Sequence, residues 1–441
     1  IKGEQTTVNA QGRVDFYWSL GNGFLTALGI QELYSSYTAA QELIIFTEQK
    51  LPLPIPPYEN IPDLYLHYPI NMDITIRNSV FNTSAYAVTE YRSQGGRFGT
   101  ELGLRLDHLY FTGDQFSIRT TPVLNPRFNF DFNIFKNRGW FESLDLTAGT
   151  GLFSSINDAI AAIDVSSGID DYALKPNRSW TSVAGVKADF PGGWSFNIEG
   201  YFKYVYDRAY QYGISKPGEE TRSVYRFDGD GRIWGFDLML QKFDSRYWDG
   251  WLSYTFTHAK YHENERPKSE VSDTTELEDS GWYYPYFHRF HNLNLVLNFK
   301  PLRNFNIYAR LGLASGRPKP VAGEIKSYPV QLVNENGAPV KDASSNPVII
   351  QKWKRESRYD DNSRTTWSVP LDLKLSYYFF NPGNKVKTEI YLAAENLLSL
   401  LYVAKANTTF NQYTGEEDTG SDSANYEMPI PMASFGIKWS Y

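Results

Sequence analysis

No cysteine occurs anywhere in the chain, so it has neither a disulfide framework nor a thiolate nucleophile or metal ligand, which suits an oxidising periplasm. No run of the roughly 18 apolar residues that a membrane helix needs is present either, which excludes a helical membrane protein. Histidine is scarce, at six residues, and there is no Gly-x-Ser-x-Gly elbow. A compact acid, base and nucleophile set is therefore not legible, and no catalytic residue or cofactor is assigned. An excess of basic charge is also lacking: the net charge of −7 disfavours a nucleic-acid partner.

What the chain has in quantity is aromatic residues, 32 Tyr, 28 Phe and 11 Trp in 441 positions. A soluble protein seldom carries so many, whereas a membrane β-barrel places aromatics in two interfacial girdles. The last fourteen residues carry the clearest pattern. Ala433, Phe435, Ile437, Trp439 and Tyr441 point one way, and Ser434, Gly436, Lys438 and Ser440 the other. Such a strand suits lipid on one face and water on the other, with an aromatic pair at the interface. The fold class is all-β, a transmembrane antiparallel up-and-down barrel of the outer membrane.

Period-two alternation with turn signals divides the chain into about fifteen strands, beginning near Arg13–Leu20, Phe24–Tyr37 and Asp73–Arg92 and ending at Met428–Tyr441. Compact turns stand at 21–23, 94–96, 136–139, 191–193, 301–304 and 381–384, the periplasmic side by the habit of bacterial barrels. Long connections, Thr38–Met72, Ser154–Arg178, His262–Phe287, Gly316–Ser363 and Ser399–Glu427, are read as extracellular loops. Trp367, Val369, Leu371, Leu373, Leu375, Tyr377 and Phe379 would meet lipid. Ser368, Asp372, Lys374, Ser376 and Tyr378 would face a polar lumen, because an apolar core does not tolerate unpaired charge. An odd count with a descending last strand puts Ile1–Gln11 in an extracellular loop. Bacterial barrels have even strand numbers, so an N-terminal part is expected beyond this chain, unless Phe116–Thr121 alters the count.

A series of motifs resembles the TonB-dependent outer-membrane receptors over most of the chain. Ala85-Tyr86-Ala87-Val88 with Gly103-Leu104-Arg105-Leu106-Asp107, Pro126-Arg127 before an alternating strand, and Leu174-Lys175-Pro176-Asn177 with Gly185 follow the family's order. So do Gly235-Phe236-Asp237, Gly250–Thr255, Ser315-Gly316-Arg317-Pro318, Glu395-Asn396-Leu397-Leu398 and the closing strand. Asp237 and Asn177 stand where the family usually has Glu. The resemblance implies that residues 1–441 are a barrel domain holding strands eight to twenty-two of a twenty-two-stranded, plugged barrel. It further implies active import of a scarce ligand, an iron chelate (siderophore), cobalamin, glycan or peptide, driven by a periplasmic TonB-type energy-coupling protein. Outer-membrane lipid and lipopolysaccharide would surround it, and a surface lipoprotein lid is compatible with it. No plug or TonB box lies in these residues. A passive porin-like channel is the first alternative reading, and an outer-membrane enzyme with rim groups the second.

Candidate ligand residues are Trp282, Tyr283, Tyr284, Tyr286, His288 and Arg289, rings and polar groups at the expected extracellular mouth that can stack on sugars, catecholates or corrin-like ligands. The competing reading is the outer aromatic girdle, which needs rings at the same height. His258 and His262 would share one strand face roughly 13 Å apart, too far for one metal, so no metal site is assigned. Asp228-Gly229-Asp230-Gly231 resembles the start of a calcium loop, but Met239 stands where Glu is required; a turn or bulge fits better. The acidic Glu416-Glu417-Asp418 with Asp422 is read as a solvated loop that could hold a divalent cation. The Pro-rich Leu51–Pro57 with Tyr65, His67 and Tyr68 form a loop of a size to fold over a substrate.

Overall fold

In hydrocarbon, backbone N–H and C=O groups find no water, so a chain without apolar helices can cross only as paired strands. The computed structural model describes residues 2–50, 65–113, 117–155, 175–214, 222–243, 245–267, 276–331, 339, 341–342, 344–380, 386–398, 406–410, 417–424 and 431–440. Its strands are β1 (Lys2–Gly21), β2 (Phe24–Lys50), β3 (Tyr65–Arg92), β4 (Phe98–Gly113), β5 (Ser117–Arg119), β6 (Val123–Arg138), β7 (Phe141–Ser155), β8 (Asn177–Phe190), β9 (Trp194–Ile214), β10 (Arg222–Lys242) and β11 (Trp248–His262). These are followed by β12 (Arg266–Pro267), β13 (Leu277–Glu278), β14 (His291–Leu302), β15 (Phe305–Ala314), β16 (Pro318–Gln331), β17 (Ile349–Arg364), β18 (Leu371–Phe380), β19 (Lys387–Glu395), β20 (Ala406–Phe410), β21 (Glu417–Ala424) and β22 (Met432–Ser440).

One antiparallel sheet takes fifteen of these in chain order, β1-β2-β3-β4-β6-β7-β8-β9-β10-β11-β14-β15-β18-β19-β22. Among the described residues its edge strands β1 and β22 are not paired with one another. The count of about fifteen therefore stands, and the doubtful Phe116–Thr121 is a three-residue flap, β5, paired on β4 beside the path. Three hairpins, β12-β13, β16-β17 and β20-β21, lie in the long connections.

Tight turns end the strands on one side. Gly21, Asn22, Gly23, Gly96, Asn137, Gly139, Gly192 and Gly193 all have positive φ there, a conformation that Gly and Asn adopt at least cost. A further short connection, between Lys242 and Trp248, went unread in the sequence because it contains no Gly, Asn or Pro. The 381–384 turn lies outside the described residues.

Two expectations need correction. Thr38–Met72 is largely strand: β2 and β3 stay paired out to Lys50↔Tyr65. Ile1–Gln11 is likewise strand rather than loop, with Lys2 opposite Glu42. Strands of 27 and 28 residues far exceed the roughly 10 needed to cross. Once a register is set, each further pair satisfies two backbones, so the ladder runs on beyond the membrane. The last strand also begins at Met432 rather than Met428.

Register divides the strands into two chemically distinct faces. On β10 the outward column Leu240, Leu238, Phe236 and Trp234 faces Leu252, Tyr254, Phe256 and His258 of β11 and Phe196, Ile198, Gly200 and Phe202 of β9. This band is capped at both ends. On the turn side Lys242 lies 5.0 Å from the Trp194 ring centre and 6.0 Å from that of Trp248. On the loop side Arg232 sits opposite Lys260. The roughly ten residues between, at about 3.3 Å each on strands tilted about 40°, rise roughly 25 Å, the height of a barrel's apolar band. Phe435, Ile437 and Trp439 of β22 extend it with 69%, 47% and 66% exposure.

The other face is polar and paired. Arg310 bonds Asp372 at 3.2 Å and Lys374 bonds Glu389 at 2.7 Å, where Ser376 also donates. Buried Asp107 accepts hydrogen bonds from Ser84 (2.7 Å), Arg105 (2.8 Å) and Asn125 (2.6 Å).

Leu238 and Met239 are chain neighbours on opposite faces, near mid-band. Arginine at Leu238 should destabilise the protein in lipid vesicles by about 2–4 kcal/mol, and arginine at Met239 far less. Equal losses in reversible urea titrations would show the face assignment to be wrong.

Candidate functional site

Strict alternation would send Arg208 and Tyr210, even-numbered on β9, to the lipid face. A bulge turns them inward instead. Up to Tyr206 the even positions of β9 point outward, with Arg178 stacked 4.5 Å over the Tyr206 ring. Asp207 then takes φ 52°, and the β9-β10 register shifts between Arg226 and Gly229 and again between Gly229 and Gly231. An extra residue in one strand reverses which side later residues face. A Cβ at Gly231 would lie 2.9 Å from the Tyr261 ring, so glycine is needed for that ring to cross. Asp228-Gly229-Asp230-Gly231 is thus a bulge inside β10.

The bulge is tied down by Lys175, Asn177 and Arg178. Arg178 bonds Asp207 at 2.6 and 2.8 Å, Lys175 lies 3.7 Å from it, and Asn177 Oδ1 accepts the Ala209 N–H at 2.7 Å.

Beyond the bulge Arg208 reaches the inner side. Its guanidinium lies 4.5 Å over the Tyr261 ring and donates to Glu263 at 2.8 Å. Tyr283 Oη also donates to Glu263, at 2.5 Å. One step outward, Arg226 and Tyr212 donate to Glu265 at 2.5 and 3.2 Å, and Tyr210 Oη accepts the Glu265 N–H. Burial, reinforced by the Glu263 carboxylate, pushes the Tyr283 phenol well above its ordinary range. Arginines held by carboxylates beside tyrosine rings can grip a ligand bearing both charge and flat apolar surface.

The stretch Trp282–Arg289 is split between the two faces. Tyr283 bridges Tyr261 through the backbone and lies in the inner network, and Phe287 packs edge-on to Tyr261 at 5.9 Å. Trp282 lies on the outer side, stacked on His262 at 5.3 Å with Arg232 4.3 Å over its ring. Tyr284 is outer too, bonded through its hydroxyl to His258 at 3.2 Å and stacked on His288 at 4.6 Å. His288 is 2% exposed; one ring nitrogen meets Thr257 O and the other the Arg364 guanidinium, both at 3.1 Å. Tyr286 is 70% exposed. Arg289 donates to Ser315 O at 2.6 Å, and burial and Arg317 lower its pKa.

His258 and His262 share the outer face, His258 5.2 Å from Trp234 and His262 paired with Asp279 at 2.8 Å. Among the described residues no group of three His, Cys, Asp or Glu could hold a metal. Glu417, Asp418 and Asp422 lie on β21, and Tyr65, His67 and Tyr68 on β3, with side chains outside the description, as are Glu416 and 51–64 entirely. Sequence reasoning missed Arg208, Tyr210, Arg226, Glu263 and Glu265. Their only advance signal was the Asp-Gly-Asp-Gly bulge.

No family model matches this chain, and no curated protein matches it. Solved structures do. The ferripyoverdine receptor of the outer membrane of Pseudomonas aeruginosa aligns at 11% identity with a TM-score of 0.58, over 99% of this chain and 48% of that one. The outer membrane transporter YddB from Escherichia coli aligns at 15% identity and a TM-score of 0.55, over 99% and 54%. The copper transporter OprC aligns at 12% and 0.55, over 99% and 56%. This chain spans about half the length of the structures it matches. Its fold is that of an outer-membrane β-barrel, and the apolar outer band suits that membrane. Within that class it has the barrel fold of the TonB-dependent outer-membrane receptors.

A phenol with a raised pKa favours the folded state below the ordinary value of about 10, and that contribution is lost as pH climbs through the raised value. Ultraviolet titration of the protein against Tyr283→Phe should show one late-ionising tyrosine. Glu263→Gln should bring its ionisation to lower pH; an unmoved titration would remove Glu263 as a cause.

Proposed function

We propose that this chain forms the barrel of a TonB-dependent receptor that actively imports a scarce ligand, a metal chelate or compound of similar size, across the outer membrane. The supporting observation is an ion-paired inner wall topped by the Arg208–Glu263–Tyr283 network, in a fold whose solved examples are named as receptors and transporters. Transport rather than catalysis is the reading this favours. Extracellular segments and the inner network would capture ligand, a plug would close the lumen, and a periplasmic TonB-type protein would open it. Tyr283, with Arg208, is the inward ligand candidate. Tyr286, largely exposed, would serve first contact, and Trp282, Tyr284, His288 and Arg289 would shape the rim. Specificity among iron chelate, cobalamin, glycan and peptide would rest with the loops, with or without a surface lipoprotein.

Cells lacking the gene should fail to accumulate one radiolabelled chelate under limitation. Restoring the wild-type gene should recover uptake only in an energised, TonB-competent strain, and Arg208→Ala or Tyr283→Ala should lower chelate binding at least tenfold. Uptake independent of energy, together with steady open conductance of the full-length protein in planar bilayers, would instead establish a passive channel.

A further inference from the structure

On the inner wall of β15, β18 and β19 cations are matched by acids, Arg310 by Asp372 and Lys374 by Glu389. Below them, at the turn-side end, the matching stops. A cavity of about 490 Å³ opens there among Arg246 and Tyr247 of the β10-β11 connection, Lys300 and Arg303 at the β14-β15 turn, and Asn306, Tyr378 and Lys387. It is an inward cavity, because Asn306 pairs with Ser376 and Tyr378 with Glu389, both on the polar face. Four cationic side chains line it and no acidic one does. Lys300 is engaged from outside the lining by Asp249, and Lys387 lies 4.0 Å over the Tyr378 ring. The donors open to a ligand are the arginines: Arg246 and Arg303 are exposed and make neither an ion pair nor a side-chain hydrogen bond among the described residues. Arg246 is held 5.4 Å over the Tyr247 ring.

Exposed arginines at turns ordinarily reach into water and need no ligand. Asn306 adds an independent sign of one. Its Oδ1 is buried without a hydrogen-bond partner, whereas buried polar groups are as a rule satisfied. The last torsion of an asparagine is soft, so the amide can turn to offer that oxygen to a hydroxyl in the cavity. Guanidinium groups grip carboxylates through paired N–H donors, and the volume lies within the roughly 300–1,000 Å³ of small-molecule sites. We propose that this cavity binds a small hydroxylated dicarboxylate, its carboxylates held by Arg246 and Arg303 and a hydroxyl donating to Asn306. Such a dianion offsets the positive charge that the lining leaves unbalanced. The site lies at the opposite end of the inner wall from the Arg208–Glu263–Tyr283 network and does not depend on the import reading.

The test uses the full-length protein in detergent and isothermal titration calorimetry, with D-glucarate and adipate as probes. The two share a six-carbon chain and both carboxylates, and only glucarate carries hydroxyls. Wild type should bind one glucarate, and adipate at least tenfold more weakly, because a site built for a hydroxyl is left unpaired by the analogue lacking it. Asn306→Ala should abolish that preference, binding glucarate no better than adipate. Arg246→Gln and Arg303→Gln should each weaken glucarate at least tenfold. Arg303→Lys, which keeps the charge, should recover part of the loss, and this exposed position decides the matter if another variant misfolds. Lys242→Gln, on the outward side of the same rim, should bind as wild type does. Absence of saturable glucarate binding to wild type would overturn the proposal, as would affinities untouched by the arginine variants. Inorganic phosphate binding as tightly as glucarate would overturn it too, by showing an anion site with no preference for a dicarboxylate.

Discussion

Everything in this molecule depends on the backbone hydrogen bond in a solvent that offers no substitute. A strand crossing hydrocarbon must pair on both sides along its crossing, so register is enforced pair by pair. Period two then dictates that alternate residues meet lipid and lumen. The contrast between Leu238 and Met239, or between Phe435 and Gly436, is not a local preference but a result of that ladder. The same constraint leaves the ends free. Above the band, β2 and β3 continue as a long hairpin because pairing is still favourable in water, though no longer compulsory.

A strict ladder keeps every second residue of a strand on the same face from end to end. The bulge at Asp207, Gly229 and Gly231 breaks the alternation just beyond the membrane. There the reversed parity turns Arg208 toward Tyr261, Glu263 and Tyr283, and Tyr210 toward Glu265. The cost of an interrupted ladder is offset by the charge-assisted bonds of Arg178 to Asp207, by the nearby Lys175 charge and by the Asn177 bond to Ala209. The bulge thus belongs to the architecture of the site and not merely to the strand.

The aromatic stretch Trp282–Arg289 shows how far a sequence can be read. Its height in the membrane was legible, because the long connection before it and the alternating strand after it place it at the mouth. Which face each ring takes was not legible, and the structure divides them. The bridge between Tyr261 and Tyr283 sets the parity, so Tyr283 goes inward while Trp282 and Tyr284 go outward. Nothing in the composition of Trp-Tyr-Tyr-Pro-Tyr-Phe specifies that bridge.

The sequence by itself determined the class: alternation, tight turns of Gly and Asn, and aromatic abundance are local properties that each strand carries on its own. It also determined the polar lumen, since Asp372, Lys374 and Ser376 share a face whatever their partners. Only the tertiary structure decided which strands pair beyond the membrane, where parity reverses, and which distant residues meet. Arg208 and Glu263, or Arg232 and Lys260, come together through the register between strands. That register is a property of two segments at once, so neither segment's own pattern contains it.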